Sequence, residues 1–253
     1  MKIEQLDYKL SEIEKKSLEN KTYFFGHQSV GFNIIDGMTA ILNENKTEFN
    51  IIEIKNNKTI SKPEKGTFLH AVMDENFYPL KKIDNFNAIL TKEPLNQLDV
   101  AMLKFCYVDI TTDGDINELF KEYTSTIANL ENKYPNTKFI YITTPLVAPD
   151  IDFIATSKNF LKGILGKSKW GYEDNLKRNE FNNLLRKNYS QTGRLFDLAF
   201  YESKLEDGTR NSVRYKNTEI FTMLPQYTND GGHLNELGKK NMAYYFLKFL
   251  AQL

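Results

Sequence analysis

Short apolar runs alternate with longer amphipathic ones along most of the chain. Tyr23–Phe25, Phe49–Ile54, Val100–Phe105, Phe139–Thr143 and Leu195–Leu198 are rich in β-branched and aromatic residues and are bounded by Asn, Lys, Pro or Gly, the mark of buried strands. Between them, residues 29–43, 80–92, 115–134, 174–190 and 235–252 carry the helical period. In the last of these Leu237, Met242, Tyr245, Phe246 and Phe249 recur at three- and four-residue spacing and form one apolar face. Asp115 is placed to cap the third helix and Pro135 to stop it. Strand–helix alternation of this kind predicts an α/β domain with a mostly parallel sheet covered on both faces. Functional residues then gather beyond the carboxyl ends of the strands.

Two segments at such places carry chemistry. Phe24-Phe-Gly-His-Gln-Ser-Val-Gly31 follows the first strand and puts Ser29 at a strand-to-helix turn, where free backbone N–H groups can stabilise an oxyanion. Gly26 and Gly31 permit close approach of the backbone to substrate. Tyr227-Thr-Asn-Asp-Gly-Gly-His-Leu-Asn235 precedes the last helix. Its Asp230 and His233, three apart, can bring a carboxylate to one imidazole nitrogen and leave the other to take a proton from serine, which is the logic of covalent acyl transfer.

An early strand-end serine paired with a late Asp-x-x-His resembles the SGNH (GDSL-type) hydrolase superfamily. The Gly-His-Gln-Ser-Val-Gly form is similar to a divergent subgroup of it, and the resemblance runs from Tyr23 to Leu253, including the Tyr134-Pro135 turn and Thr143-Thr-Pro145. It implies one domain over residues 1–253, with a flavodoxin-like three-layer α/β/α fold, a five-stranded sheet, and hydrolysis of esters, often acetyl groups on carbohydrates. It makes Ser29 the nucleophile, His233 the base and Asp230 its orienting carboxylate. The family's second block falls at Met73–Pro79 and lacks its glycine; the third falls at Phe105–Asp109, with Val108 where asparagine is usual. The expected replacements as oxyanion or substrate-binding groups are His27, Asn76 and Lys104, with Asp109 beside them.

Each residue also has a plainer reading. Ser29 suits a helix cap, Asp109 a turn cap, and His233 and His70 structural hydrogen bonding. Lys104 interrupts an apolar strand, so a partner such as Asp109 or Asp230 is expected. Asp150–Trp170 reads as a lid-like excursion at about 150–172, where Phe160 and Trp170 either stack on a sugar or form a small core of their own. Asn175, Arg178 and Asn182 share a helix face that either pins this excursion or touches substrate.

Composition narrows the function classes. The 253 residues are 41% hydrophobic, enough for a core without disulfides, and 33 basic residues balance 33 acidic ones. No field of one sign argues for nucleic acid or an anionic membrane; a small-molecule or glycan ester fits better. The single Cys106 excludes an internal disulfide and any multi-cysteine metal site, and its apolar setting predicts a buried thiol. No metal or cofactor is required by this chemistry. No apolar run is long enough to span a membrane and no leader is apparent, which predicts a cytoplasmic protein if the sequence is complete, and a periplasmic or secreted one if a signal peptide was removed. An O-acyltransferase and a non-catalytic glycan-binding module are the alternatives on this scaffold; a nucleotide-binding flavodoxin-like protein is disfavoured because the first loop lacks a glycine-rich phosphate cradle.

Overall fold

The computed structural model describes residues 2–55, 62–149 and 171–253. The elements run α1 (Glu12–Glu19), β1 (Thr22–His27), α2 (Ser29–Glu44), β2 (Asn50–Glu53), β3 (Thr67–Val72), α3 (Pro79–Leu90), β4 (Val100–Leu103), α4 (Ile116–Lys133), β5 (Lys138–Ile142), α5 (Tyr172–Tyr189), β6 (Leu195–Phe196), α6 (Leu198–Ser203), β7 (Ser212–Tyr215), β8 (Thr218–Phe221) and α7 (Glu236–Ala251). Six parallel strands form the central sheet in the order β2-β3-β1-β4-β5-β6, and β7 and β8 make a separate antiparallel hairpin. The expected five strands are thus corrected to six. Thr67–Val72 is the addition, a strand buried along five of its six residues and so without the alternation that marks a half-buried one.

Side chains alternate across the sheet. Tyr23 and Phe25 of β1 point into the layer of α1, α2 and α7, while Phe24 points into that of α3, α4 and α5. Helix α4 begins as expected: Asp115 accepts hydrogen bonds from the N–H groups of Asn117 (2.9 Å) and Glu118 (3.1 Å).

Beyond β5 the chain stays buried through Ala148, and after Thr143, whose N–H still reaches the Phe196 carbonyl of β6, no strand among the described residues pairs with it. Side chains take that place. Asn182 accepts from the Thr144 N–H and donates to its carbonyl, at 2.7 and 2.9 Å. Glu202 accepts from Leu146 (2.7 Å), and Asn175 bonds both the N–H and the carbonyl of Val147. Asn175, Arg178 and Asn182 are therefore buried in α5 and hold residues 144–147, together with Tyr107, whose carbonyl receives Arg178 Nε at 2.7 Å. Pro149 meets Gly171 closely: a Cβ on Gly171, whose φ is +96°, would lie 2.9 Å from the proline Cβ. The expected excursion, with Phe160 and Trp170, lies at residues 150–170, outside the described residues.

Candidate active site

Ser29 is the first residue of α2, directly beyond β1. It is not the helix cap; Gln28 occupies that position and makes no side-chain capping bond. The Ser29 hydroxyl is thereby left for other partners. His233 Nε2 lies 3.0 Å from Ser29 Oγ, and His233 Nδ1 lies 2.8 Å from Asp230 Oδ2. The His233 and Asp230 side chains are 31% and 22% exposed, so the relay sits at the surface, within reach of a substrate. A carboxylate can only accept, which puts the proton of neutral His233 on Nδ1 and aims the Nε2 lone pair at serine.

The loop holding these groups is fixed from several sides. Asp230 Oδ1 accepts from the N–H groups of Gly232 (2.9 Å) and His233 (2.8 Å). Desolvation alone would raise the Asp230 pKa, but these bonds and the imidazole outweigh it and hold the carboxyl well below the usual carboxylate range. Ala148 N–H donates to the Gly231 carbonyl (2.8 Å), linking the loop to the extended segment after β5. Asn33, one helical turn after Ser29, accepts from Leu234 N–H at 3.1 Å, so one helix sets the position of both the serine and the loop that faces it. Tyr107 packs edge-on against the His233 ring, with centroids 5.7 Å apart.

The residues around Ser29 have structural roles that their proximity in sequence does not reveal. His27 ends β1 and follows the strand's alternation inward, fully buried, stacked on Phe25. Its Nδ1–H donates to the Gln28 carbonyl at 2.9 Å, which leaves Nε2 to accept from His70 Nδ1–H, also at 2.9 Å. Burial pushes its pKa down to about 3 and lowers that of His70 as well. The ring lies so close beneath α2 that a Cβ on Gly31 would stand 2.3 Å from its Cγ, which explains the glycine there. Gly26 is walled by Met73 and Phe86 rather than open to substrate. The Gln28 side chain donates to the carbonyls of Met73 and Asp74, tying the β3–α3 connection to the residue before the serine.

Of the expected oxyanion and substrate-binding groups, His27, Lys104 and Asp109 are accordingly corrected to buried residues. His27 is buried beneath the helix start. Lys104 is buried too, its Nζ donating to the Phe105 carbonyl (3.1 Å), and burial lowers its pKa to about 8. It bonds neither Asp109 nor Asp230. Asp109 is instead paired with Lys82, whose Nζ lies 2.7 and 2.6 Å from its two oxygens, with both side chains 0% exposed. Asn76 accepts from the same lysine at 2.9 Å. Asp109 also receives the N–H groups of Phe77 (3.0 Å) and Cys106 (2.7 Å), so one buried cluster joins the connections that follow β3 and β4. Lys82 went unremarked in the sequence, although it lies four residues before Phe86, in phase with the helix's buried face.

Glu202 is fully buried beside the segment after β5, and burial raises its pKa to about 8 against the bond from Leu146 N–H and the nearby cations. Among the described residues no cluster of three His, Cys, Asp or Glu side chains has the arrangement to hold a metal ion, and no helix is long and apolar enough to cross a membrane.

No family model and no curated protein matches the chain. Solved structures do. One is a candidate platelet activating factor from Streptococcus pneumonia, 16% identical, with a TM-score of 0.53 over 94% of this chain and 91% of that one. Another is a candidate lipolytic protein of the G-D-S-L family from Desulfitobacterium hafniense DCB-2, 8% identical, with a TM-score of 0.50 over 91% and 99%. What is shared at such identities is the architecture: the chain has the α/β fold of SGNH (GDSL-type) hydrolases.

Proposed function

We propose that the protein is a serine esterase in which Ser29 is the nucleophile, His233 the general base and Asp230 the carboxylate that orients it. The observation that carries this reading is the pair of contacts made by His233, 3.0 Å to Ser29 Oγ and 2.8 Å to Asp230 Oδ2. His233 Nε2 takes the serine proton as Oγ attacks the ester carbonyl, and Asp230 stabilises the imidazolium that forms. The oxyanion develops beside the N-terminus of α2, where the Ser29 N–H has no partner within the helix. Collapse of the tetrahedral intermediate breaks the ester C–O bond, and the imidazolium returns the proton to the departing alcohol. Water then adds to the acyl-enzyme with the same histidine as base, releasing the acid and free Ser29. Carbohydrate acetyl esters are the substrates that the family resemblance implies.

Turnover of p-nitrophenyl acetate tests this directly, with Ser29→Ala and His233→Ala in parallel. Activity lost by about three orders of magnitude or more in each variant supports the reading. Turnover no greater than that of the variants, together with no labelling by a fluorophosphonate probe, refutes it and leaves a site that binds without reacting.

A further inference from the structure

Tyr107 lies in the connection after β4, the strand next to β1, and is only 3% exposed. Its ring is turned toward the loop that carries His233. The two rings meet at 76° with centroids 5.7 Å apart, a geometry favourable for aromatic pairs. The same ring meets Gly232. A Cβ on Gly232 would lie 2.8 Å from both Cζ and Oη of Tyr107, closer than a real Cβ can sit. Ring and loop are thus in contact at two consecutive residues, the second of them the proposed base.

Tyr107 is itself held by buried groups. Its carbonyl accepts from Arg178 Nε at 2.7 Å, and that guanidinium lies 5.8 Å from the centroid of its ring. Arg178 Nη1 in turn donates to Asn175 Oδ1 at 2.9 Å. Asn175 also bonds Val147, and the next residue, Ala148, bonds the Gly231 carbonyl. One buried turn of α5 therefore secures residues 230–233 along two routes, through Tyr107 and through residues 147–148. The residue before Tyr107 is tied as well, since the Cys106 N–H donates to Asp109 at 2.7 Å. A side chain with its own position so determined can determine that of another.

The reaction shows when this support is needed. In the free enzyme His233 is anchored at both ring nitrogens, Nδ1 by Asp230 and Nε2 by the Ser29 hydroxyl. Once Oγ carries the acyl group it has no proton to donate, and the Nε2 anchor is gone. Deacylation then asks the imidazole to stay where it was. Nε2 takes a proton from water as the water oxygen adds to the acyl carbonyl carbon, and returns it to Oγ as the C–Oγ bond breaks. We infer that Tyr107 is a positioning residue whose ring keeps His233 in place through the acyl-enzyme stage. The inference rests on the esterase reading for its link to catalysis, and its test separates the two.

With p-nitrophenyl acetate the good leaving group makes acylation fast, so kcat reports deacylation and kcat/KM reports acylation. Tyr107→Leu lowers kcat by about three- to tenfold, the worth of an aromatic pair, while kcat/KM falls less than about twofold, so that KM falls too. Tyr107→Phe keeps the ring and restores both values. Equal losses in kcat and kcat/KM with KM unchanged, as a smaller folded fraction gives, overturn the assignment and leave the esterase standing. So does a kcat for Tyr107→Leu equal to that of wild type. If Tyr107→Leu does not fold, Tyr107→Met replaces it and is read in the same way. Should no ester be turned over in a Ser29-dependent way, the esterase reading fails, and proton NMR still examines the support. Ser29→Ala removes the serine anchor as acylation does, and the downfield His233 Nδ1–H resonance, assigned by its loss in His233→Gln, reports the ring's place. Persistence of that resonance in Ser29→Ala and its loss in Ser29→Ala/Tyr107→Leu support the positioning role. A resonance alike in the two, whether present or absent, overturns it.

Discussion

Replacing Lys82 by methionine removes the cation that both oxygens of Asp109 contact, while keeping a side chain of similar length in α3. The Asp109 carboxylate then stays fully buried, with the N–H groups of Phe77 and Cys106 as its remaining bonded partners. Breaking a buried pair from one side costs about 3–5 kcal/mol, because the surviving charge is stranded. With a urea m-value of about 3 kcal/mol/M for a chain of this size, the unfolding midpoint falls by about 1–1.7 M. Lys82→Met/Asp109→Asn removes the second charge as well. The asparagine carbonyl can still accept one of the two N–H groups, so the residual loss is about 1–3 kcal/mol, that of an unsatisfied buried polar group. The double variant is therefore more stable than Lys82→Met alone, a reversal that simple loss of packing does not produce. Urea unfolding at pH 7 followed by far-ultraviolet circular dichroism measures all three proteins. A Lys82→Met midpoint within about 0.3 M of wild type, less than 1 kcal/mol at that m-value, or a double variant weaker than Lys82→Met, refutes the electrostatic account.

Two further outcomes are expected. Asp230→Asn keeps its carbonyl on the N–H groups of Gly232 and His233 and turns its amide toward His233 Nδ1, which forces the proton onto Nε2, facing Ser29. Acetate turnover then falls by about 10³–10⁴-fold, and a loss smaller than tenfold removes Asp230 from its orienting role. Acid stability follows from His27, held at about 3 in the folded protein against about 6.5 unfolded. Between those values the unfolded chain binds a proton at this residue and the folded chain does not. Its contribution is constant above pH 6.5 and is lost at about 1.4 kcal/mol per unit below it, or about 3 kcal/mol by pH 4. His70 acts in the same direction. His27→Gln should unfold with a flatter pH dependence over this window, and an unchanged slope in equilibrium unfolding refutes the assignment.

The serine, histidine and aspartate were legible because each depends on short-range order. Ser29 follows a strand and begins a helix, and Asp230 and His233 share one turn whose backbone bonds shape it. The groups around them were less legible, since their roles depend on which strands become neighbours. Thr67–Val72 carries no alternation because both faces are covered, and nothing local shows that His70 will meet His27 across two paired strands. His27 looked like a substrate-facing donor beside Ser29, yet as the last residue of β1 it shares the inward phase of Phe25. Lys104 and Asp109 were natural partners by distance along the chain. Only the packing of α3 against the β4–α4 connection brings Lys82 to the carboxylate first. In α5, Asn175, Asn179 and Asn182 give a polar helix by composition, and the fold buries all three, Asn175 and Asn182 in place of a missing strand and Asn179 against Phe221 of β8.

The close approach of Pro149 and Gly171 brings two points of the described main chain together. A segment with touching ends is closed whatever its length, and doubling its length costs only about 0.6 kcal/mol in closure entropy. Lengthening the chain between these two residues is therefore expected to leave Ser29 and His233 in place, with the 3.0 Å contact between them intact. Residues 144–148 have no such freedom. There the N–H groups of Thr144, Leu146, Val147 and Ala148 each answer to a particular amide, carboxylate or carbonyl, and one inserted residue would shift the set out of register. Tolerance of added length and intolerance of it are thus divided at Pro149, a single residue beyond the hydrogen bond from Ala148 to the loop that holds His233.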